Sequence, residues 1–113
     1  EVARAFGCRG LFTERQDGVM TLRRGFTLAK GEPVVVVEDA ITTGKSTREV
    51  LDAMDAFGAR VLAVGSLVDR SVGDVDFGVP RRSLVRLEVP TYPAEACPLC
   101  AAGSRPVKPG SRA

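Results

Sequence analysis

Histidine and tryptophan are absent from this sequence, and aromatic residues make up only 5% of it. A closed zinc site takes four ligands. Without histidine, the three cysteines Cys8, Cys97 and Cys100 fall one short. Lysine is missing between Glu1 and Ala29, and the net charge is only +2, with the arginines scattered rather than striped. Nucleic acid is therefore not an expected partner. No apolar run approaches the ~20 residues of a membrane span, and no secretory leader is visible. A soluble, cytoplasmic protein with no membrane association is expected. At 113 residues the chain is one domain at most, near the lower end for a single α/β core. Residues 1–7 read as the end of a helix with Gly7 as its C-cap. The chain is thus expected to start inside a larger domain.

What is present centres on Pro33 to Val50, PVVVVEDAITTGKSTREV. Val34, Val35, Val36 and Val37 form a β-branched run that suits a short strand buried on both faces of a parallel sheet. Glu38 and Asp39 then place two carboxylates at its C-terminal end, where open α/β sheets hold their ligands. Thr42-Thr43-Gly44-Lys45-Ser46 follows and leads into a helix with Val50, Leu51, Met54 and Phe57 on one face. Backbone N–H groups at such a helix start make a seat for a phosphate. A side chain at Gly44 is expected to fill the phosphate's space. Gly44-Lys45-Ser46 is not a Walker A loop, because that motif needs a glycine where Asp39 stands. An ordinary βα turn with a Thr or Ser cap accounts for the threonines but leaves the adjacent acids unexplained. Acids followed by a phosphate cradle suit a sugar phosphate, its hydroxyls on the carboxylates.

Around this stretch the pattern is α/β. Cys8 to Phe12 reads as a strand ending at Thr13-Glu14-Arg15. Gln16-Asp17-Gly18 is a turn, and Val19 to Phe26 the return arm of a hairpin. The helix stops at Gly58, and Arg60 to Asp69 is the next parallel strand of a right-handed βαβ unit. It ends in Asp69-Arg70, at the same sheet edge as Glu38 and Asp39. Arg70 is suited to take a carboxylate in bidentate fashion. Arg81 and Arg82 fall in a turn, Ser83 to Val89 alternates like an edge strand, and residues 105–113 read as an irregular tail.

VVVVEDAITTGKS resembles the phosphoribosyl-diphosphate signature of the type I phosphoribosyltransferases: four apolar residues, two acids, two small or apolar residues, then a T-T-G-x-S-like loop. The later L-V-D-R stretch and the tail PTYPAEACPLCAAG…KPGSR resemble one bacterial branch of the orotate phosphoribosyltransferases. The resemblance implies that family's fold, a parallel sheet flanked by helices, with residues 1–104 forming the C-terminal part of one domain and the N-terminal part missing. It implies an enzyme joining orotate to the ribose of phosphoribosyl diphosphate, working as a homodimer with Mg²⁺ held mainly through the diphosphate and by no protein metal site. Glu38 and Asp39 would hold ribose hydroxyls, while Ala40, Ile41, Thr42, Thr43, Gly44, Lys45 and Ser46 would cradle the 5′-phosphate. Thr42 and Arg70 would contact orotate.

The family's mobile hairpin corresponds to residues of about 13–30, whose arginines are Arg15, Arg23 and Arg24. Arg15 matches best by position as a diphosphate contact, and no catalytic residue is assigned. A purine or uracil enzyme of the superfamily, or a non-catalytic ligand sensor of the same fold, are the alternatives. The fragment alone is expected to be inactive. Cys97 and Cys100 read as a structural pair or half of an intersubunit metal site, since a redox pair belongs at a helix start after a strand.

Overall fold

The computed structural model describes residues 1–22, 25–105 and 107. Helix α1 (Val2–Phe6) precedes a hairpin of β1 (Thr13–Gln16) and β2 (Val19–Leu22). Then come β3 (Pro33–Ile41), α2 (Lys45–Ala56), β4 (Arg60–Asp69), β5 (Arg81–Arg86), a 3₁₀ turn (Ala94–Ala96) and α3 (Pro98–Ala101). β3, β4 and β5 form a parallel sheet in that order, flanked by α2, and β1 pairs antiparallel with β2. The expected α/β class and βαβ unit are both present.

The valine run extends further than its composition implied. β3 continues through Glu38 and Asp39 to Ile41, pairing Ala40 with Val68 and Ile41 with Asp69. Its residues alternate in burial, with Val36 buried but Val35 and Val37 exposed. The expectation of a strand covered on both faces is thus corrected. α2 packs on one face, whereas Val35, Val37, Leu67 and Leu84 on the other are exposed. The core is Val36, Ile41, Ala53, Met54 and Val64, with Leu22, Val50, Leu51, Phe77 and Val79 packed against it. Phe57, expected on the helix's apolar face, is the C-cap residue and is exposed.

Gly58 closes α2 as expected, with a φ of 71° that only glycine adopts without strain. Its N–H donates to Asp55 O at 2.7 Å and the N–H of Ala59 to Met54 O at 3.0 Å, the paired bonds of a Schellman motif.

Three boundaries differ from the pattern. The tight turn at Asp17 and Gly18, with φ of 50° and 84°, pairs Gln16 with Val19 and sets the hairpin register. Among the described residues pairing ends at Thr13↔Leu22, and Cys8 to Phe12 is not a strand. Among the described residues the return arm is Val19–Leu22 and does not take in Phe26; Arg23 and Arg24 lie outside the described residues. β5 starts at Arg81, not Ser83, because Val64 pairs with Arg81 and Gly65 with Arg82. Those two arginines belong to a strand, not a turn.

Met54 is 6% exposed within this core. Met54→Ala should lower the free energy of unfolding by about 2–5 kcal/mol in a urea titration. A loss below about 0.5 kcal/mol, the size of an ordinary surface change, would place Met54 outside the stabilising core.

Candidate functional site

The loop after β3 delivers the chain to the start of α2. Gly44 is the N-cap of α2 with φ 75° and ψ 5°, and no side chain caps the helix. The N–H of Lys45 leans on Thr43 Oγ1 at 3.3 Å, a long hydrogen bond. No acidic residue sits in the first turn, so the partial positive charge of the helix start is not offset from within the helix. Thr42, Thr43, Lys45 and Ser46 are exposed around it. Hydroxyls, a lysine and uncapped N–H groups together form an anion seat.

The surroundings of Gly44 leave no room for a side chain. A Cβ there would stand 2.6 Å from Val75 Cγ1 and 3.0 Å from Phe77 Cε1, on the β4–β5 connection. Arg48 ties that connection to the loop, with Nη1 donating to Thr43 O at 3.3 Å and Nη2 to Asp76 O at 3.1 Å. Its guanidinium also lies 5.4 Å from the centre of the Phe77 ring.

The two acids fall on opposite faces, as strand alternation dictates. Glu38 is half-buried on the α2 side, where it bonds the hydroxyl of Thr47. Burial pushes its carboxyl above the ordinary range, the neighbouring Asp39 adds to this, and the Thr47 bond opposes it. Asp39 is exposed, its Oδ1 accepting the N–H of Ala40 at 2.7 Å. Ala40 is exposed, whereas the side chain of Ile41 is 1% exposed in the core. Ile41 can offer a ligand only its backbone. Thr47, 1% exposed, was not singled out in the sequence, although it is one more hydroxyl in the Thr42–Thr47 run.

Arg70 is brought to the same place by the backbone. Its N–H donates to Ile41 O at 2.7 Å, joining the ends of β3 and β4 at the mouth of the loop. Its Nε is buried, with no hydrogen-bond partner among the described residues. Beneath it, Asp69 is 4% exposed and its Oδ1 accepts the N–H of Ser71 at 2.8 Å and Oγ of Ser71 at 2.6 Å. Arg81 Nη1 stands 3.3 Å from Asp69 Oδ2, and its Nη2 3.3 Å from Asp74. The Ser71 hydroxyl chiefly, then its N–H and the charges of Arg81 and Arg86, hold the Asp69 carboxyl below its usual range against the cost of burial. The Asp69–Arg81 pair was not legible in sequence, because it depends on which strand neighbours β4.

Arg15 takes a different position from the loop residues. It lies on β1, paired with Glu49 of α2 and donating to Gly18 O at 3.1 Å. It therefore docks the hairpin on the helix, one turn beyond Lys45. A shallow groove of about 480 Å³ between hairpin and helix, lined by Val19, Met20, Asp52 and Phe57, includes none of residues 38–46 and not Arg70.

Comparison with known proteins defines the class. The family profile described as "Phosphoribosyl transferase domain" matches residues 9–76, and the chain belongs to that family. The chain is 56% identical over 112 residues to an orotate phosphoribosyltransferase of Caldanaerobacter subterraneus subsp. tengcongensis. It is 57% identical to that of Heliobacterium modesticaldum over 112 residues, and 55% identical to that of Thermotoga maritima over 111. These matches take in 98–99% of this chain and 59% of each relative's length.

No helix among the described residues is long and apolar enough to cross a membrane. Among them, too, no three of Asp, Glu and Cys gather into a metal-holding group. The donors at the loop are two carboxylates on opposite faces. They do not converge on one ion, so at most one of them could reach a Mg²⁺ held otherwise by water and substrate phosphates.

The depressed Asp69 carboxyl has a defined pH signature. Its folded pKa lies below its unfolded value, so it stabilises the fold above the unfolded range. That contribution is lost as pH falls through the folded value. Asp69→Asn should cost about 1.5–3 kcal/mol at neutral pH, the worth of a hydrogen bond to a charged group. The gap from the parent should close toward about pH 2 in urea titrations. An unchanged gap at both pH values would remove charge from the role of Asp69.

Proposed function

We propose that this chain supplies the phosphoribosyl-diphosphate and orotate sites of an orotate phosphoribosyltransferase acting in pyrimidine nucleotide synthesis. The chain spans 59% of the relatives' length, so the activity is assigned to the protein at their full length. The observation that supports the reading is the Arg70 N–H bond to Ile41 O, which brings the Arg70 backbone to the end of the strand that leads into the uncapped start of α2. One end of that arrangement suits a phosphate and the other a carboxylate.

In the reaction, the bond from ribose C1 to the diphosphate oxygen breaks as orotate N1 bonds to C1, through an oxocarbenium-like state. The chain's work is to hold and orient. Residues Ala40 to Ser46 seat the 5′-phosphate through N–H and hydroxyl groups. Asp39 accepts a ribose hydroxyl from the open face. Glu38, on the α2 side of the strand end, is the second ribose contact. Thr42 borders the orotate side, and Arg70 clamps the carboxylate that distinguishes orotate from uracil. Mg²⁺, when bound, neutralises charge on the departing diphosphate. Arg15 meets the diphosphate if the hairpin leaves α2, exchanging Glu49 for the anion. The protein is proposed to work as a cytoplasmic homodimer.

At the relatives' full length, diphosphate release should be seen with orotate and not with uracil or adenine. Arg70→Ala should raise the KM for orotate at least tens-fold, in line with the ~2–5 kcal/mol lost when one partner of a desolvated ion pair is removed. The KM for phosphoribosyl diphosphate should change little. Equal shifts in both KM values would make Arg70 structural. Turnover with another base, or none with any, would indicate a different transferase or a ligand sensor.

A further inference from the structure

The thiol pair at the C-terminal end has a geometry the functional site does not use. Cys97 is the N-cap of α3 with extended backbone, Pro98 opens the helix, and Cys100 lies in its single turn. Gly103, with φ 86°, ends the turn, its N–H donating to Cys100 O at 3.0 Å and the N–H of Ser104 to Leu99 O at 2.9 Å. Proline fixes one end and the glycine motif the other, so the turn is held independently of any ligand. The sequence reading required a helix start for a redox pair, and the structure supplies one, though after a 3₁₀ turn rather than a strand.

We propose that Cys97 and Cys100 form a reversible dithiol–disulfide site that exchanges with low-molecular-weight disulfides. Cys97 immediately precedes the turn that carries Cys100, and the two thiols are close enough to share a hydrogen bond. A small closure brings them to the ~3.5–4.5 Å of a disulfide, available because Cys97 sits outside the helix proper. Both thiols are free and half-buried, hence reachable. The structure also divides their roles. The sulfur of Cys97 receives the N–H of Cys100 foremost, then the Cys100 thiol and the N–H of Leu99, which holds it below the ordinary thiol range. Cys100, the donating thiol, is pushed up. Cys97 is the attacking thiolate and Cys100 the resolving thiol.

The exchange balances without another reagent. The Cys97 thiolate bonds to one sulfur of the small disulfide, whose S–S bond breaks and releases one thiolate. The Cys100 thiol yields its proton to that thiolate. Its sulfur then bonds to Cys97 Sγ and expels the second small thiolate, which is protonated from solvent. The two protein thiols are oxidised by two electrons and the small disulfide is reduced to two thiols. A metal site would need more: no third cysteine or carboxylate joins the pair among the described residues, whereas exchange needs only these two sulfurs.

The test is incubation of the reduced chain with glutathione disulfide, alkylation of the remaining thiols, and mass mapping. Expected is an intramolecular disulfide between Cys97 and Cys100, with Cys8 still free to alkylate and dithiothreitol restoring both thiols. Cys100→Ser should stop at a glutathione adduct on Cys97. Cys97→Ser should react more slowly, since it removes the sulfur that the N–H groups of Cys100 and Leu99 support. The proposal is overturned if no 97–100 disulfide forms, if Cys8 reacts in preference, or if Cys97→Ser reacts as fast as the parent. It is equally overturned if protein purified without chelator carries stoichiometric zinc that blocks both thiols.

Discussion

The apolar contact between α2 and the β3–β4 pair is what the site depends on. Ile41 and Val64 are 1% exposed and Met54 6%. Together they seat α2 across the sheet so that its start faces the ends of two strands. Once that contact forms, the rest is positioned by short backbone reach: the loop Thr42–Gly44 spans from β3 to the helix, and Arg70 N–H meets Ile41 O. Burial of Ile41 thus serves stability and site geometry at once. Its side chain anchors the core while its carbonyl aligns the next strand.

Charge is arranged around this apolar anchor with opposite consequences on its two sides. Under α2, Glu38 is partly desolvated, and burial, with Asp39 beside it, raises its carboxyl above the ordinary range. At the end of β4, Asp69 is more buried yet depressed, because Ser71 and the neighbouring arginines satisfy it. The difference is partner supply rather than depth. The satisfied acid fixes the segment from which Arg70 projects.

Features carried by local chemistry were legible in the sequence. Four successive valines marked β3, Gly58 marked the end of α2, and the apolar run Arg60–Asp69 matched β4 residue for residue. The loop that opens α2 was legible for the same reason, since its glycine and hydroxyls are contiguous. What depended on distant partners was not. The start of β1 is set by the register of a turn further along, and Arg81 joins a strand only because β4 lies beside it. The exposed valines of β3 were unreadable too, because a buried run and a half-covered one look alike in composition. Gly44 was read as making room for a phosphate, yet Val75 and Phe77 occupy the space beside it.

The seat at the start of α2 is the central claim, and backbone amide NMR during titration with ribose 5-phosphate tests it most directly. The amide signals of Lys45, Ser46 and Thr47 should shift most and saturate together, with Arg70 following through its bond to Ile41. Signals that stay fixed there while residues of the hairpin groove, such as Val19 and Asp52, move would contradict the assignment and relocate the phosphate.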